Sequence, residues 1–248
     1  MEYNPYSLEG KAILVVGASS GIGRQTAIEC SRLGVTIFVC ARNKDALDET
    51  ISLMKGRGHK MVSADLTIPS EVEKLIGEVP IVNGVVLSAG KGLTLPIKFS
   101  TKEKYKDIFN VNFFSQVEVL RLLVREKKIK EGGSVVFVGS VGGVEVFNIG
   151  GAIYGASKAA LNSTMKFCAK EFASQKVRVN SINPGMTNTK FINRGSLSEE
   201  QFAADMEKYP LKRYGEPKDI ALGIVYLLSD AASWVTGQAI CIDGGVSI

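Results

Sequence analysis

The sequence predicts an α/β fold: a doubly wound parallel sheet of seven strands with helices on both faces, in a single domain spanning residues 1–248. Three observations predict it. Short runs rich in Val, Ile and Phe alternate with amphipathic stretches from residue 11 to residue 242. Those runs are near-continuously apolar, as strands covered on both faces are. Glycines punctuate the joins, and no linker, repeat or low-complexity segment interrupts the rhythm.

Taken in order, residues 11–16 read as a buried strand, and 22–33 as a helix stopped at Gly34. Residues 35–40 are the second strand, 45–55 a helix closed by Gly56, and 60–63 a short third strand. Pro69 suits the first turn of the next helix. Residues 84–87 are the fourth strand, and 104–124 carry unbroken helical periodicity. Strands at 134–138 and 177–182 flank a long helix at 152–172. A helix at 217–228 and a strand at 239–242 close the pattern. Only the polar stretch 186–210 departs from it, and it reads as a substrate loop carrying Phe191 and Phe202.

Composition narrows the functional classes. Of 248 residues, 45% are hydrophobic, enough for a sizeable core, and no apolar run reaches the roughly 20 residues a membrane helix needs. The first residues lack a basic region followed by an apolar one, so a cytoplasmic protein is expected. Cys30, Cys40, Cys168 and Cys241 match no metal-ligand spacing and read as reduced thiols in apolar settings. The single histidine, His59, sits among Gly56, Arg57, Gly58 and Lys60 and reads as a solvated loop residue, so no metal site is expected. The formal charge of +5 is mild, and the basic cluster at 125–130 has no aromatic interleaving, which argues against nucleic acid. A solvated helix end is one reading of that cluster; a dock for an acidic partner is the other.

The chemistry sits in two motifs. Gly17, Ser19, Ser20, Gly21, Ile22 and Gly23 follow the first strand and open the first helix. Gly17 permits a tight turn, Gly21 lets backbone approach a pyrophosphate, and Gly23 allows close packing on the sheet, while free N–H groups attract the anion. This is the Rossmann-type arrangement. A cofactor selector is expected after the second strand. Arg42 stands there with no carboxylate until Asp45, which favours the 2′-phosphate of NADP(H), with NAD(H) the alternative. The second motif is Tyr154 and Lys158, four apart on one helix face. An ammonium beside a phenol lowers a pKa otherwise near ~10 and makes it a workable proton donor and acceptor.

The whole chain resembles the short-chain dehydrogenase/reductase family. The resemblance rests on residues 17–23, Asp65 and Leu66, residues 88–90, Asn112, Ser140, Tyr154 and Lys158, residues 183–185, and residues 236–245, all in family order. It is similar to 3-oxoacyl-carrier-protein reductases as well as to broad-specificity alcohol dehydrogenases within that family, and the first likeness implies an acidic acyl carrier protein as the partner that the 125–130 cluster could dock. The resemblance implies roles. Tyr154 would be the general acid or base, Lys158 would lower its pKa and hold the nicotinamide ribose, and Ser140 would bind the substrate oxygen. Asn112 would anchor a relay water. Asp65 and Leu66 would border the adenine, and Ala89 and Gly90 its ribose. Pro184, Gly185, Thr187 and Thr189 would hold the nicotinamide end. It also implies a homodimer or homotetramer packed through the helices near 104–124 and 152–172.

Departures from the family pattern are specific. Val16 stands where the family often has Thr, and Leu87-Ser88 where it often has Asn-Asn; these segments lie on adjacent strands in the family fold and read as one coupled swap. Tyr154 follows Ser140 by one residue more than usual, and Ser20 stands where many NADP-type members carry a base. The rim residues Val141, Val144, Val146, Phe147 and Ile149 are apolar, which suits a hydrophobic ketone or 3-oxoacyl thioester. The expectation is therefore an NADPH-dependent carbonyl reductase. The alternatives are an NAD-dependent alcohol, polyol or steroid dehydrogenase, and a catalytically inactive dinucleotide-sensing module.

Overall fold

Seven parallel strands form one sheet: β1 (Ala12–Val16), β2 (Thr36–Ala41), β3 (Lys60–Ser63), β4 (Val82–Leu87), β5 (Ile129–Val138), β6 (Arg178–Pro184) and β7 (Ala239–Ile242). Their order is β3-β2-β1-β4-β5-β6-β7. The structure, a computed structural model, describes residues 4–189 and 198–248. The helices are α1 (Gly21–Ser31), α2 (Lys44–Leu53), α3 (Pro69–Glu78), α4 (Lys102–Phe109), α5 (Ser115–Arg125), α6 (Ala152–Glu171), α7 (Glu199–Met206) and α8 (Pro217–Leu228). Among the described residues no helix is long and apolar enough to cross a membrane. None of their His, Cys, Asp and Glu side chains gather into a group able to hold a metal.

The period-2 alternation of strand side chains divides the core into two layers. Leu14, Val16, Val85, Leu87, Val135 and Phe137 pack beneath α3, α5 and α6. Ile13, Val15, Val86, Val136 and Val138 pack beneath α1, α2 and α8. Both faces are covered, which is why most of the strands carry a near-continuous apolar run. Val16 pairs with Leu87 in the β1–β4 register, and both are fully buried. The two departures from the family pattern are thus neighbours, and neither leaves a polar partner stranded.

Several expectations are corrected. The periodic stretch 104–124 is not one helix: α4 ends at Phe109, a π turn runs over Asn110–Phe114, and α5 begins at Ser115. The buried positions Ile108, Asn112, Gln116, Val119 and Leu123 stay three or four apart through the turn, so periodicity hides it. The fifth strand starts at Ile129 rather than 134, with an irregularity before Ser134. The polar stretch 186–210 contains α7, started by a capping box between Ser198 and Gln201. Phe202 packs edge-on to Tyr214, whereas Phe191 lies outside the described residues.

His59 is not a solvated loop residue. Its Nδ1 accepts the Ile37 backbone N–H at 3.2 Å, and its Nε2 lies 2.8 Å from the Lys55 carbonyl. It therefore ties the end of α2 to the second strand. The basic cluster is also thinner than its sequence implies. Arg125 pairs with Glu126 at 2.8 Å, and Lys128 donates to the Val79 carbonyl at 2.7 Å. Of the cysteines, Cys30 and Cys40 are buried, with thiols pushed up to about 12 by burial, while Cys168 and Cys241 are half-buried.

Candidate active site

The strand order reverses between β1 and β4, and the crevice at their carboxyl ends is where such sheets hold ligands. The glycine turn leaves β1 there. Gly17 and Ala18 both donate to the Cys40 carbonyl, at 2.8 and 3.1 Å. Gly17 has φ +82°, and a Cβ on it would lie 2.6 Å from the Ala89 backbone nitrogen. A Cβ on Gly23 would collide with the Gly17 carbonyl. These two glycines let the turn press against the end of β4 and let α1 pack on the turn. Gly21 differs: its φ is +55°, and a Cβ there would face the Thr189 methyl at 3.2 Å across the crevice.

Ser20 is the N-cap of α1 but its side chain makes no capping hydrogen bond, and no acidic residue lies in the first turn. The helix start therefore presents N–H groups and its positive dipole end, an anion cradle. Arg24 was not singled out in the sequence. Its Nη2 donates to the Ser19 carbonyl at 2.6 Å and to Glu49 at 2.8 Å, which holds the turn against α2.

Arg42 follows β2 and is exposed, with Nη1 3.7 Å from Asp65 Oδ2. Asp65 also accepts from the Thr67 N–H and hydroxyl at 2.9 and 2.7 Å. The Thr67 backbone bond, then its hydroxyl and Arg42, hold the Asp65 carboxyl below the usual range. Leu66 is half-buried against the core beside it.

The reacting end lies past β4 and β5. Gly90 is exposed, and a Cβ there would come within 3.5 Å of Lys158 Nζ and 3.7 Å of Asn112 Oδ1. The fully buried Asn112 sits in the π turn. Its Oδ1 accepts the Lys91 N–H at 2.7 Å, and its Nδ2 donates to the Lys91 carbonyl at 3.0 Å and Ser157 Oγ at 3.1 Å. The Ser157 hydroxyl donates onward to the Tyr154 carbonyl at 2.7 Å. Ser140 Oγ accepts the Gly142 N–H at 3.0 Å and is hydrogen-bonded to the Tyr154 hydroxyl. Lys158, 3% exposed, donates to the Val138 carbonyl at 2.8 Å.

The expected lowering of the Tyr154 pKa is not seen. Burial raises the phenol, and the Ser140 bond offsets only part of that. The ammonium is committed to Val138, and burial itself brings it down to about 8. The physical reason is that desolvation outweighs a cation whose hydrogen bond points elsewhere.

The far wall is built by residues 184–189. A Cβ on Gly185 would strike the Asp243 backbone at 2.9 Å, so this glycine lets the chain cross β7 closely. Pro184 ends β6, and Thr187 is buried with its hydroxyl on the Gly185 carbonyl at 3.1 Å. In the rim, Val141 is buried, whereas Phe147 and Ile149 are 79% and 92% exposed. Val141 is an anchor rather than a pocket lining, because its carbonyl receives the N–H groups of Val144, Glu145 and Val146.

The chain is similar to known oxidoreductases over nearly its whole length. The family model described as enoyl-(acyl carrier protein) reductase matches residues 17–247. A tropinone reductase homologue of Arabidopsis thaliana is 33% identical over 98% of this chain and 92% of that one. A homologue from Datura stramonium is 31% identical over 98% and 94%. Among solved structures, a dehydrogenase/reductase from Sinorhizobium meliloti superposes with TM-score 0.90 at 27% identity, covering 98% of both chains. The RhlG/NADP active-site complex of Pseudomonas aeruginosa gives 0.91 at 26%, covering 99% and 100%. The chain belongs to the short-chain dehydrogenase/reductase family, oxidoreductases that bind NAD(P) and interconvert alcohols and carbonyls.

The residues present fit such a dinucleotide. The uncapped start of α1 and the side-chain-free surface of Gly90 beside Lys158 are the spaces a pyrophosphate and ribose need.

Proposed function

We propose that this protein is an NADPH-dependent reductase of an apolar ketone, with Tyr154 as proton donor. The observation that carries the reading is the convergence of Ser140, Tyr154, Lys158 and Asn112 on the carboxyl ends of β4 and β5, beside the uncapped start of α1. The dinucleotide supplies the hydride; the protein orients the carbonyl and handles the proton. Ser140 Oγ, already sharing a hydrogen bond with Tyr154, holds the substrate oxygen. A phenol whose pKa stands above its ordinary value keeps its proton at neutral pH, the state a reductase needs at the start of turnover. Lys158 holds the nicotinamide ribose through the gap that Gly90 leaves open. Asn112, locked by Lys91 and Ser157, anchors the proton path behind it.

The start of α1, with Gly17, Ser19, Ser20, Gly21, Ile22 and Gly23, holds the pyrophosphate. Arg42, steadied by Asp65, takes the 2′-phosphate, and Leu66, Ala89 and Gly90 flank the adenosine. Pro184, Gly185, Thr187 and Thr189 close over the nicotinamide. The NADP complex of a structural neighbour supports the cofactor, and the tropinone reductase homologues support a ketone. The exposed Phe147 and Ile149 give the substrate an apolar approach. A 3-oxoacyl thioester would use the same chemistry. Carrier docking on residues 125–130 is not part of the proposal, because that cluster lies at the start of β5, the end opposite Ser140. Exposed Phe114 and Phe167, on the π turn and on α6, are the faces for a homo-oligomer, which light scattering would detect.

The test pairs a cofactor titration with a substrate panel. NADPH should bind at least tenfold tighter than NADH, and Arg42→Ala should weaken NADPH about 10- to 100-fold, the scale of a charge-assisted hydrogen bond, while sparing NADH. Ketones with apolar rings should consume NADPH faster than acyl thioesters. Equal affinity for both dinucleotides, or NADPH binding indifferent to Arg42→Ala, would overturn the cofactor assignment.

A further inference from the structure

Gln116 is fully buried in the first turn of α5, on the face that Val119, Leu120 and Leu123 turn toward the sheet. An apolar side chain would be the ordinary occupant. Its Nε2 instead donates to two backbone carbonyls on separate elements, Ala89 and Asn112, each at 2.7 Å. Its Oε1 is buried with no hydrogen-bond partner. Turning the amide over would set that oxygen against both carbonyls, so the two partners fix its orientation. A buried acceptor without a partner is unfavourable. Stability alone does not explain a residue that accepts this penalty where a leucine would pack.

The two carbonyls explain it. The Ala89 nitrogen is pressed against Gly17 of the glycine turn, and the next residue, Gly90, opens toward Lys158 and Asn112. Asn112 carries the carboxamide locked between Lys91 and Ser157. One amide group therefore spans from the end of β4 to the π turn, and it sets the spacing between the ribose-facing backbone and the side chains that manage the proton. We infer that Gln116 is a positioning residue of the active site, whose two N–H groups hold the Ala89–Gly90 peptide and the Asn112 turn in register. The kinetic part of this inference rests on the reductase reading; the structural part does not.

Two near-isosteric variants test it. Gln116→Met removes both donors, and Gln116→Glu removes them when ionised but restores one when protonated. In Gln116→Met, amide hydrogen exchange in peptides covering 88–92 and 110–116 should accelerate together at least tenfold, with 178–184 unchanged as control. In the ketone assay Gln116→Met should lose at least tenfold in kcat at every pH. Gln116→Glu should recover kcat as pH falls, a limb absent from the parent. Unchanged exchange in both segments, in a variant that stays folded by circular dichroism, overturns the inference whether or not any ketone is reduced. If Gln116→Met does not fold, exchange and pH dependence in Gln116→Glu decide: parent-like values of both overturn it. A parent that reduces no ketone refutes the reductase reading, and the exchange result then judges Gln116 by itself.

Discussion

Lys158→Met should change the pH dependence of stability in a way that reports the burial of the ammonium directly. Lys158 is 3% exposed, and burial lowers it from 10.5 to about 8. Between those values the unfolded chain holds the proton and the native state does not, so stability rises as pH climbs from 8 to 10.5. Below about 8 both states are charged, and the native state bears the whole desolvation penalty, about 3 kcal/mol at pH 7. At pH 9 the remaining penalty is about 2 kcal/mol.

The methionine variant carries no such burden but leaves the Val138 carbonyl without its donor. That loss is independent of pH and cancels when two pH values are compared. Relative to the parent, Lys158→Met should therefore be about 1 kcal/mol less favoured at pH 9 than at pH 7. Urea unfolding of both proteins at the two pH values, without added dinucleotide, measures it. A stability difference that stays constant, or moves in the other direction, would refute the claim that this lysine is desolvated in the native state.

Gly23→Ala would drive a Cβ into the Gly17 carbonyl, a backbone contact that cannot rotate away. The expected outcome is a loss of at least 1–3 kcal/mol and weaker dinucleotide binding, by thermal melting and fluorescence titration. Gly142→Val places its Cβ 3.2 Å from Ser140 Oγ, so kcat/KM on bulky ketones should fall at least tenfold while NADPH affinity holds. His59→Ala orphans the Ile37 N–H. A loss of about 1–3 kcal/mol, seen as a Tm roughly 3–10 °C lower with kcat unaltered, is expected.

The sheet was legible because most strands carry a near-continuous apolar run and many joins are marked by glycine, among them Gly17, Gly34, Gly56, Gly90, Gly139 and Gly185. The glycine turn and the Tyr154–Lys158 pair were legible through spacing, and Asn112 and Ser140 only through the family resemblance. What escaped was what spacing does not encode. The π turn at Asn110–Phe114 keeps the apolar period intact, so nothing in the pattern marks it. Gln116 reads as an ordinary polar position in a helix, and only the register of α5 against β4 reveals its partners. Helix α7 had a usable signal, the Ser198-to-Gln201 capping spacing, overshadowed by its polar composition. The direction of the Tyr154 shift depends on burial and on where Lys158 points, neither of which a sequence states.

The most direct test of the proton-donor role is single-turnover reduction of an apolar ketone by Tyr154→Phe beside the parent, with NADPH affinity measured in both. The account predicts that the parent oxidises its bound NADPH, whereas Tyr154→Phe binds NADPH within a few-fold of the parent and slows turnover by about 100-fold or more, the scale of a lost general acid. A Tyr154→Phe protein that reduces the ketone at the parent's rate would contradict it.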